Sequence, residues 1–220
     1  DVPPTKIYSA DGVLLYQSIN IFRKPVELDK IPQHIVDATL AAEDKRFYQH
    51  NGVDEWAIAR QMVTNAKEQR VAGGASTITM QLAKRAFSNS EKTITRKIDD
   101  MALAFELERK LTKDEILQYY LNEVYYGSGA YGIKAAAEVH FNKKLEKITI
   151  GEAAMLARLV RRPSDENPYI NLKKATTNRN VVLNIMHEEG MITEEELAAA
   201  KAEEVKLGEG PKSRTVVHKA

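Results

Sequence analysis

The sequence predicts a mainly α-helical domain with a short β element at its N-terminus, and three observations carry that prediction. Serine or threonine is followed three residues later by glutamate at Ser88…Glu91, Thr112…Glu115, Thr149…Glu152 and Thr193…Glu196. In this pattern each side chain satisfies a backbone N–H at a helix start, so each pair marks an N-terminus. Apolar residues then recur at helical spacing, as in Ile116, Leu117, Tyr120 and Leu121. Finally, Thr5-Lys6-Ile7-Tyr8 and Val13-Leu14-Leu15-Tyr16 flank Ala10-Asp11-Gly12. Asp-Gly between apolar runs is a hairpin signal.

Taken in order, residues 1–30 read as an extended, hairpin-bearing segment packed on the domain, 31–205 as the domain, and 206–220 as a linker or disordered tail. After Pro32 the pattern is helical, starting with the amphipathic stretch Ile35, Val36, Ala38, Leu40, Ala42. Asn65 to Ala75 is polar and ends in Gly73-Gly74, so it is expected to be a mobile loop, of the kind that forms lids. Gly127-Ser128-Gly129 reads as a second flexible joint. A helix is expected over Leu172–Glu189, with Asn171 as N-cap and Gly190 just past its end. Tyr119, Tyr120, Tyr125 and Tyr126 read as packing residues near a helix end, the alternative being that they line a sugar cleft. Gly208, Gly210 and Pro211 punctuate the tail.

Composition narrows the function. Hydrophobic residues make up 43% of the 220, enough for a sizeable core. The net charge is +1, so the chain as a whole has no electrostatic grip on nucleic acid. The absence of cysteine excludes disulfides, thiol nucleophiles and thiolate metal sites. The five histidines show no metal-binding spacing. No apolar run is long enough to span a membrane, and no signal peptide is visible. The opening Asp1-Val2-Pro3-Pro4 reads as the middle of a longer chain.

Three clusters could carry chemistry. On a continuing helix, Glu43, Phe47 and His50 would share one face at i, i+4 and i+7. A carboxylate at the edge of an apolar face is partly desolvated, and Asp44 beside it adds like charge. Both effects raise a carboxyl pKa toward that of a general base. The second cluster runs from Gly73 to Arg85. Its small residues admit a ligand to the backbone, Ser76, Thr77 and Gln81 offer hydrogen bonds, and Lys84 could meet a phosphate. The spacing is not that of a nucleotide P-loop. The third is a helical stripe of Lys92, Arg96, Lys97, Asp99 and Asp100, a cationic wall with carboxylates set in it. Each cluster alone has a plainer explanation: a solvated acidic pair, a loop with an N-capping serine, and a charged helix face.

Their order and spacing decide between these readings. Glu43, Asp44, Phe47, His50 and Gly52 match a Glu-Asp-x-x-Phe-x-x-His-x-Gly motif in full. Gly74-Ala75-Ser76-Thr77-Ile78-Thr79-Met80-Gln81-Leu82-Ala83-Lys84 follows, then Arg96-Lys97-Ile98-Asp99-Asp100. Lys113-Asp114-Glu115-Ile116-Leu117 runs on to Tyr120-Leu121-Asn122. Gly129-Ala130-Tyr131-Gly132-Ile133 runs on to Phe141. Over roughly residues 5–205 the chain thus resembles glycosyltransferase family 51, the peptidoglycan glycosyltransferases of class A penicillin-binding proteins and of monofunctional enzymes. It departs from the family pattern at Asp100, where the family has glutamate, and at Met80, where it has glutamine. Asn142 replaces a usual glycine, and Val160-Arg161-Arg162-Pro163 replaces a Pro-Lys-Ala-Pro-like segment.

The resemblance implies a lysozyme-like helical domain with a smaller membrane-facing lobe, to which Trp56, Ile58, Ala59, Met62 and Val63 would lend an apolar surface. It implies polymerisation of lipid II into β-1,4-linked glycan strands, inverting at MurNAc C1 and releasing undecaprenyl diphosphate. Glu43 would be the base and Asp100 a second catalytic carboxylate. Substrate would be bound by Asp44, Phe47, His50, Ser76, Thr77, Gln81, Lys84, Lys92, Arg96, Lys97, Lys113 and Asn122. Mg²⁺ or another divalent ion could assist the diphosphate, although the sequence shows no dedicated metal cage. Expected partners are lipid II, the growing strand, the outer face of the cytoplasmic membrane and moenomycin-type inhibitors. A transmembrane anchor would belong to the parent chain, and in bifunctional members so would a transpeptidase domain. A lysozyme-like hydrolase would also use a glutamate, but it has no diphosphate for the basic set to meet. A non-catalytic module silenced at Asp100 would bind lipid II and form no polymer.

Overall fold

A computed structural model describes the backbone of residues 6–8, 14–17, 25–68, 76–87 and 94–210. The described part is mainly α. Its helices are α1 (Gln33–Glu43), α2 (Glu55–Glu68), α3 (Ile78–Phe87), α4 (Ile94–Lys110), α5 (Lys113–Glu123), α6 (Ile133–Phe141), α7 (Ile150–Arg161), α8 (Leu172–Glu188) and α9 (Glu194–Ala202). The strands β1 (Lys6–Tyr8) and β2 (Leu14–Gln17) pair antiparallel, with Ile7 opposite Tyr16. The Asp11-Gly12 turn lies outside the described residues.

The helix starts follow the sequence. At Thr149 and Thr193 the hydroxyl accepts from the N–H of the glutamate three residues on, and that glutamate's carboxylate accepts from the threonine N–H. Thr112 and Glu115 make the same exchange, at 2.7 and 3.3 Å. Ser88 and Glu91 lie outside the described residues. Asn171 caps α8 by accepting from Lys174 N at 2.9 Å, and Gly190 follows the helix with φ +70°.

Four expectations are corrected. Helix α1 does not continue to His50. It stops at Glu43, and a separate 3-10 turn spans Phe47–Gln49. The reason is Asp44, which is buried and therefore needs partners. Leaving the helix brings it to His50 and to the start of α3. Second, residues 65–68 extend α2 instead of opening the loop, in line with the helix propensity of Ala66, Lys67 and Glu68. The remainder of that loop lies outside the described residues.

Third, Gly127-Ser128-Gly129 is a tied turn rather than a flexible joint. All three residues have positive φ, at 81°, 52° and 77°. The turn is closed by Tyr126 N to Ala130 O and Ala130 N to Gly127 O, both 2.8 Å. Fourth, Lys206–Gly210, expected to begin a linker, is fastened to α6 by Gly208 N donating to His140 O at 2.7 Å. A Cβ on Gly208 would stand 3.0 Å from Asn142 N.

Two compact units divide the chain. One comprises residues 1–30 and 43–123, the other 31–42 and 124–220. In the first, α3 packs on α4 and α5, and Val53, Met80 and Ala104 form a buried cluster against which Ile58 and Met101 rest. Met80 thus belongs to the core. In the second unit α7 packs on α8 and α9, around buried Met155, Leu156, Leu159, Leu183 and Met186. Asn142 ends α6 at φ 51°, ψ 39°, the left-handed conformation that asparagine tolerates best after glycine. That geometry accounts for asparagine in glycine's usual place. Among the described residues no helix is long and apolar enough to cross a membrane.

Candidate active site

The site is built at the end of α1, where the chain leaves the helix. Glu43 is half-buried there. Its Oε2 accepts a hydrogen bond from Gln81 Nε2 at 2.8 Å. The Oε1 of Gln81 in turn accepts from the Tyr120 hydroxyl at 3.1 Å. A carboxylate can only accept, so the amide must present its NH₂ to Glu43 and its oxygen to Tyr120. Three side chains, from α1, α3 and α5, thus form one line ending at the carboxylate.

The neighbouring motif residues are buried beneath it. Asp44 is 7% exposed and His50 8%. His50 Nε2 donates to both Asp44 oxygens at 3.0 Å, and Ile78 N donates to Asp44 Oδ2 at 3.0 Å. Asp44 therefore occupies the N-terminus of α3, where an orphan N–H and the helix dipole both favour negative charge. Thr77 completes that cap. Its Oγ1 accepts from Met80 N at 3.1 Å and donates to Gly52 O at 2.5 Å. Together they fix the helix that carries Gln81.

Phe47 is buried edge-on to Tyr48 and His50. Lys113 Nζ stands 4.4 Å from the Phe47 ring centre, a cation–π arrangement. The same ammonium pairs with Glu108 Oε1 at 2.7 Å, and Thr79 Oγ1 donates to that oxygen at 2.6 Å. Asn122 uses its amide on the backbone of Val26, accepting from Val26 N at 2.8 Å and donating to Val26 O at 2.9 Å.

Ser76, Lys84 and Lys97 are exposed, and Asp100 is half-buried on α4. Lys92 lies outside the described residues. Arg96 is placed in α4 by its backbone alone. The structure thus links Glu43 to Gln81, and Asp44 to His50, with Phe47 edge-on to His50 and beside Lys113, and Thr77 capping the helix of Gln81. Among the described residues no hydrogen bond or ion pair joins Lys84, Lys97 or Asp100 to these side chains.

Sequence reasoning missed two members. Tyr120 reads as core, and it is fully buried, yet its hydroxyl serves Gln81. A hydroxyl on the otherwise apolar face of Ile116, Leu117 and Leu121 was the available signal. Glu108 carried no signal, because its partners Thr79 and Lys113 sit on other helices. Among the described residues no group of three or more His, Asp or Glu could hold a metal ion.

A family model described as Transglycosylase matches residues 12–187. The chain belongs to the transglycosylase family. It is 44% identical over 202 residues to penicillin-binding protein 1A of Neisseria gonorrhoeae, covering 92% of this chain and 25% of that one. Against penicillin-binding protein 1A of Escherichia coli (strain K12) the identity is 45% over 202 residues, covering 92% and 24%. The crystal structure of penicillin-binding protein 1A from Haemophilus influenzae matches with a TM-score of 0.52 and 28% identity, over 94% of this chain and 21% of that one. This transglycosylase chain therefore spans about a quarter of the length of the curated relatives it matches.

Proposed function

We propose that this transglycosylase chain polymerises lipid II into β-1,4-linked glycan strands. The 4-hydroxyl of an acceptor GlcNAc forms a bond to C1 of the donor MurNAc. The bond from C1 to the diphosphate oxygen breaks, with inversion, and undecaprenyl diphosphate leaves with the electron pair. Glu43 accepts the hydroxyl proton. The observation that carries this reading is the Glu43 carboxylate itself, half-buried at the end of a helix and oriented by Gln81.

Charge grows on the leaving diphosphate, and fixed cations there lower the barrier. Lys84 and Lys97 are exposed and available for this, with Lys92 and Arg96 on the same stretch of chain. Asp100 orients these cations or the donor. Ser76 and Gln81 line the cleft. Asp44, Phe47, His50 and Thr77 are buried, which supports a role in holding the site in shape. Lys113, bound to Glu108, and Asn122, bound to Val26, fit the same supporting role.

The substrate's lipid requires a membrane surface. Trp56, Met62 and Val63 on α2 are 71%, 65% and 54% exposed, and Ile98 on α4 is 61% exposed. Large apolar side chains exposed to this degree suit the interfacial layer of a bilayer. The protein accordingly works at the outer face of the cytoplasmic membrane, within a fold of lysozyme-like type. Its parent carries a membrane anchor, a bifunctional parent carries a transpeptidase domain as well, and moenomycin-type inhibitors compete with lipid II.

The test is incubation of the chain with labelled lipid II in detergent. The expected products are muramidase-sensitive strands and one undecaprenyl diphosphate per bond formed. Binding of lipid II without either product would replace this reading with that of a non-catalytic binding module.

A further inference from the structure

We infer that Tyr120 is a positioning residue for the reaction, acting on Glu43 through Gln81. The inference rests on the assignment of Glu43 as base. Tyr120 lies on the buried face of α5 with Ile116, Leu117 and Leu121, and it is 0% exposed. Phenylalanine would fill that place at the same volume. A hydroxyl there is unfavourable unless it is hydrogen-bonded. Its bond to Gln81 Oε1, at 3.1 Å, meets that need and has a further effect.

An unconstrained glutamine amide has two orientations of nearly equal shape. One turns NH₂ toward Glu43, the other turns the carbonyl oxygen toward it. The first supports the ionised carboxylate; the second sets oxygen against oxygen and favours the protonated acid. A hydroxyl that donates to Oε1 selects the first. Tyr120 thereby holds the amide in the orientation that keeps Glu43 ready to accept a proton, and it fixes where the carboxylate points. Gln81 is itself set on α3, whose N-terminus Asp44 and Thr77 secure, so the amide has a rigid base from which to be steered.

Tyr120→Phe removes the hydroxyl and little else. The initial rate of lipid II polymerisation should fall about tenfold, the scale of a slightly misplaced catalytic group. The fall should be in kcat, with KM for lipid II unchanged, and the acid limb of the pH–rate profile should move to higher pH. In a Gln81→Ala background the same substitution should cost nothing further, because its effect runs through the amide. A purely packing role would instead give the same loss in both backgrounds, accompanied by a lower melting temperature, and would overturn the inference. Full kcat in Tyr120→Phe would also overturn it. Glu43→Gln is run alongside. If it retains activity the base assignment fails; if it is inactive while Tyr120→Phe is fully active, only the positioning role fails.

Discussion

Substitution of Gly52 by alanine tests the packing beneath the site. Gly52 has φ +91°, a backbone conformation that L side chains rarely adopt. A Cβ there would stand 3.0 Å from both C and O of Ala104 and 3.2 Å from Glu108 Cγ. The Ala104 atoms are backbone in the middle of α4 and cannot turn aside. The conformation alone costs about 1–3 kcal/mol. Forcing an extra carbon into a filled space adds about 1–3 kcal/mol. Together Gly52→Ala should destabilise the fold by about 4 kcal/mol, which for a chain of this size lowers Tm by about 8–16 °C. Circular dichroism at 222 nm during thermal and urea unfolding reads both quantities. Because Gly52 O accepts from Thr77, which caps α3, polymerisation should weaken as well. A variant that melts within about 2 °C of the parent would refute the close approach of Gly52 to α4.

Other perturbations follow from the same contacts. Asp44→Ala strands the His50 ring and the Ile78 N–H, and should cost about 3 kcal/mol by urea unfolding. Thr193→Ala should cost about 1 kcal/mol as a lost N-cap. Thr149→Ala should cost more than Thr193→Ala in the same assay, because the Thr149 hydroxyl also donates to Glu203 at 2.9 Å. Burial holds the His140 pKa below the ordinary 6.5, an effect partly offset by its bond to the Tyr126 carbonyl. The unfolded chain therefore binds the proton first, and this part of the stability is intact above pH 6.5 and is lost as pH falls toward the depressed folded value. Unfolding free energies measured from pH 7.5 to 5 should show a steeper decline in the parent than in His140→Gln.

Much of this architecture was legible because it depends on local chemistry. Capping pairs at Thr112, Thr149 and Thr193, and the Asn171 cap, involve residues three apart, and each forms as the sequence predicts. The helix after Glu43 was misread because nothing local marks its end. What ends it is Asp44 reaching Ile78, thirty-four positions away in sequence. Gly127-Ser128-Gly129 has the composition of a flexible joint, yet three left-handed residues and two hydrogen bonds fix it. At the site, Glu43 and Gln81 stood out through their motifs. Their contact joins residues 38 apart and the Tyr120–Gln81 bond residues 39 apart, which no local spacing encodes. Met80 shows the converse: its place in a motif suggests the site, yet its side chain packs in the core with Val53 and Ala104.

The most direct measurement compares lipid II turnover by the parent, Glu43→Gln and Asp100→Glu, with lipid II binding measured for each. Glycan strands are expected from the parent, none from Glu43→Gln at unchanged binding, and a gain from Asp100→Glu. Polymer formed by Glu43→Gln at the parental rate would contradict it, because the proton would then have another acceptor.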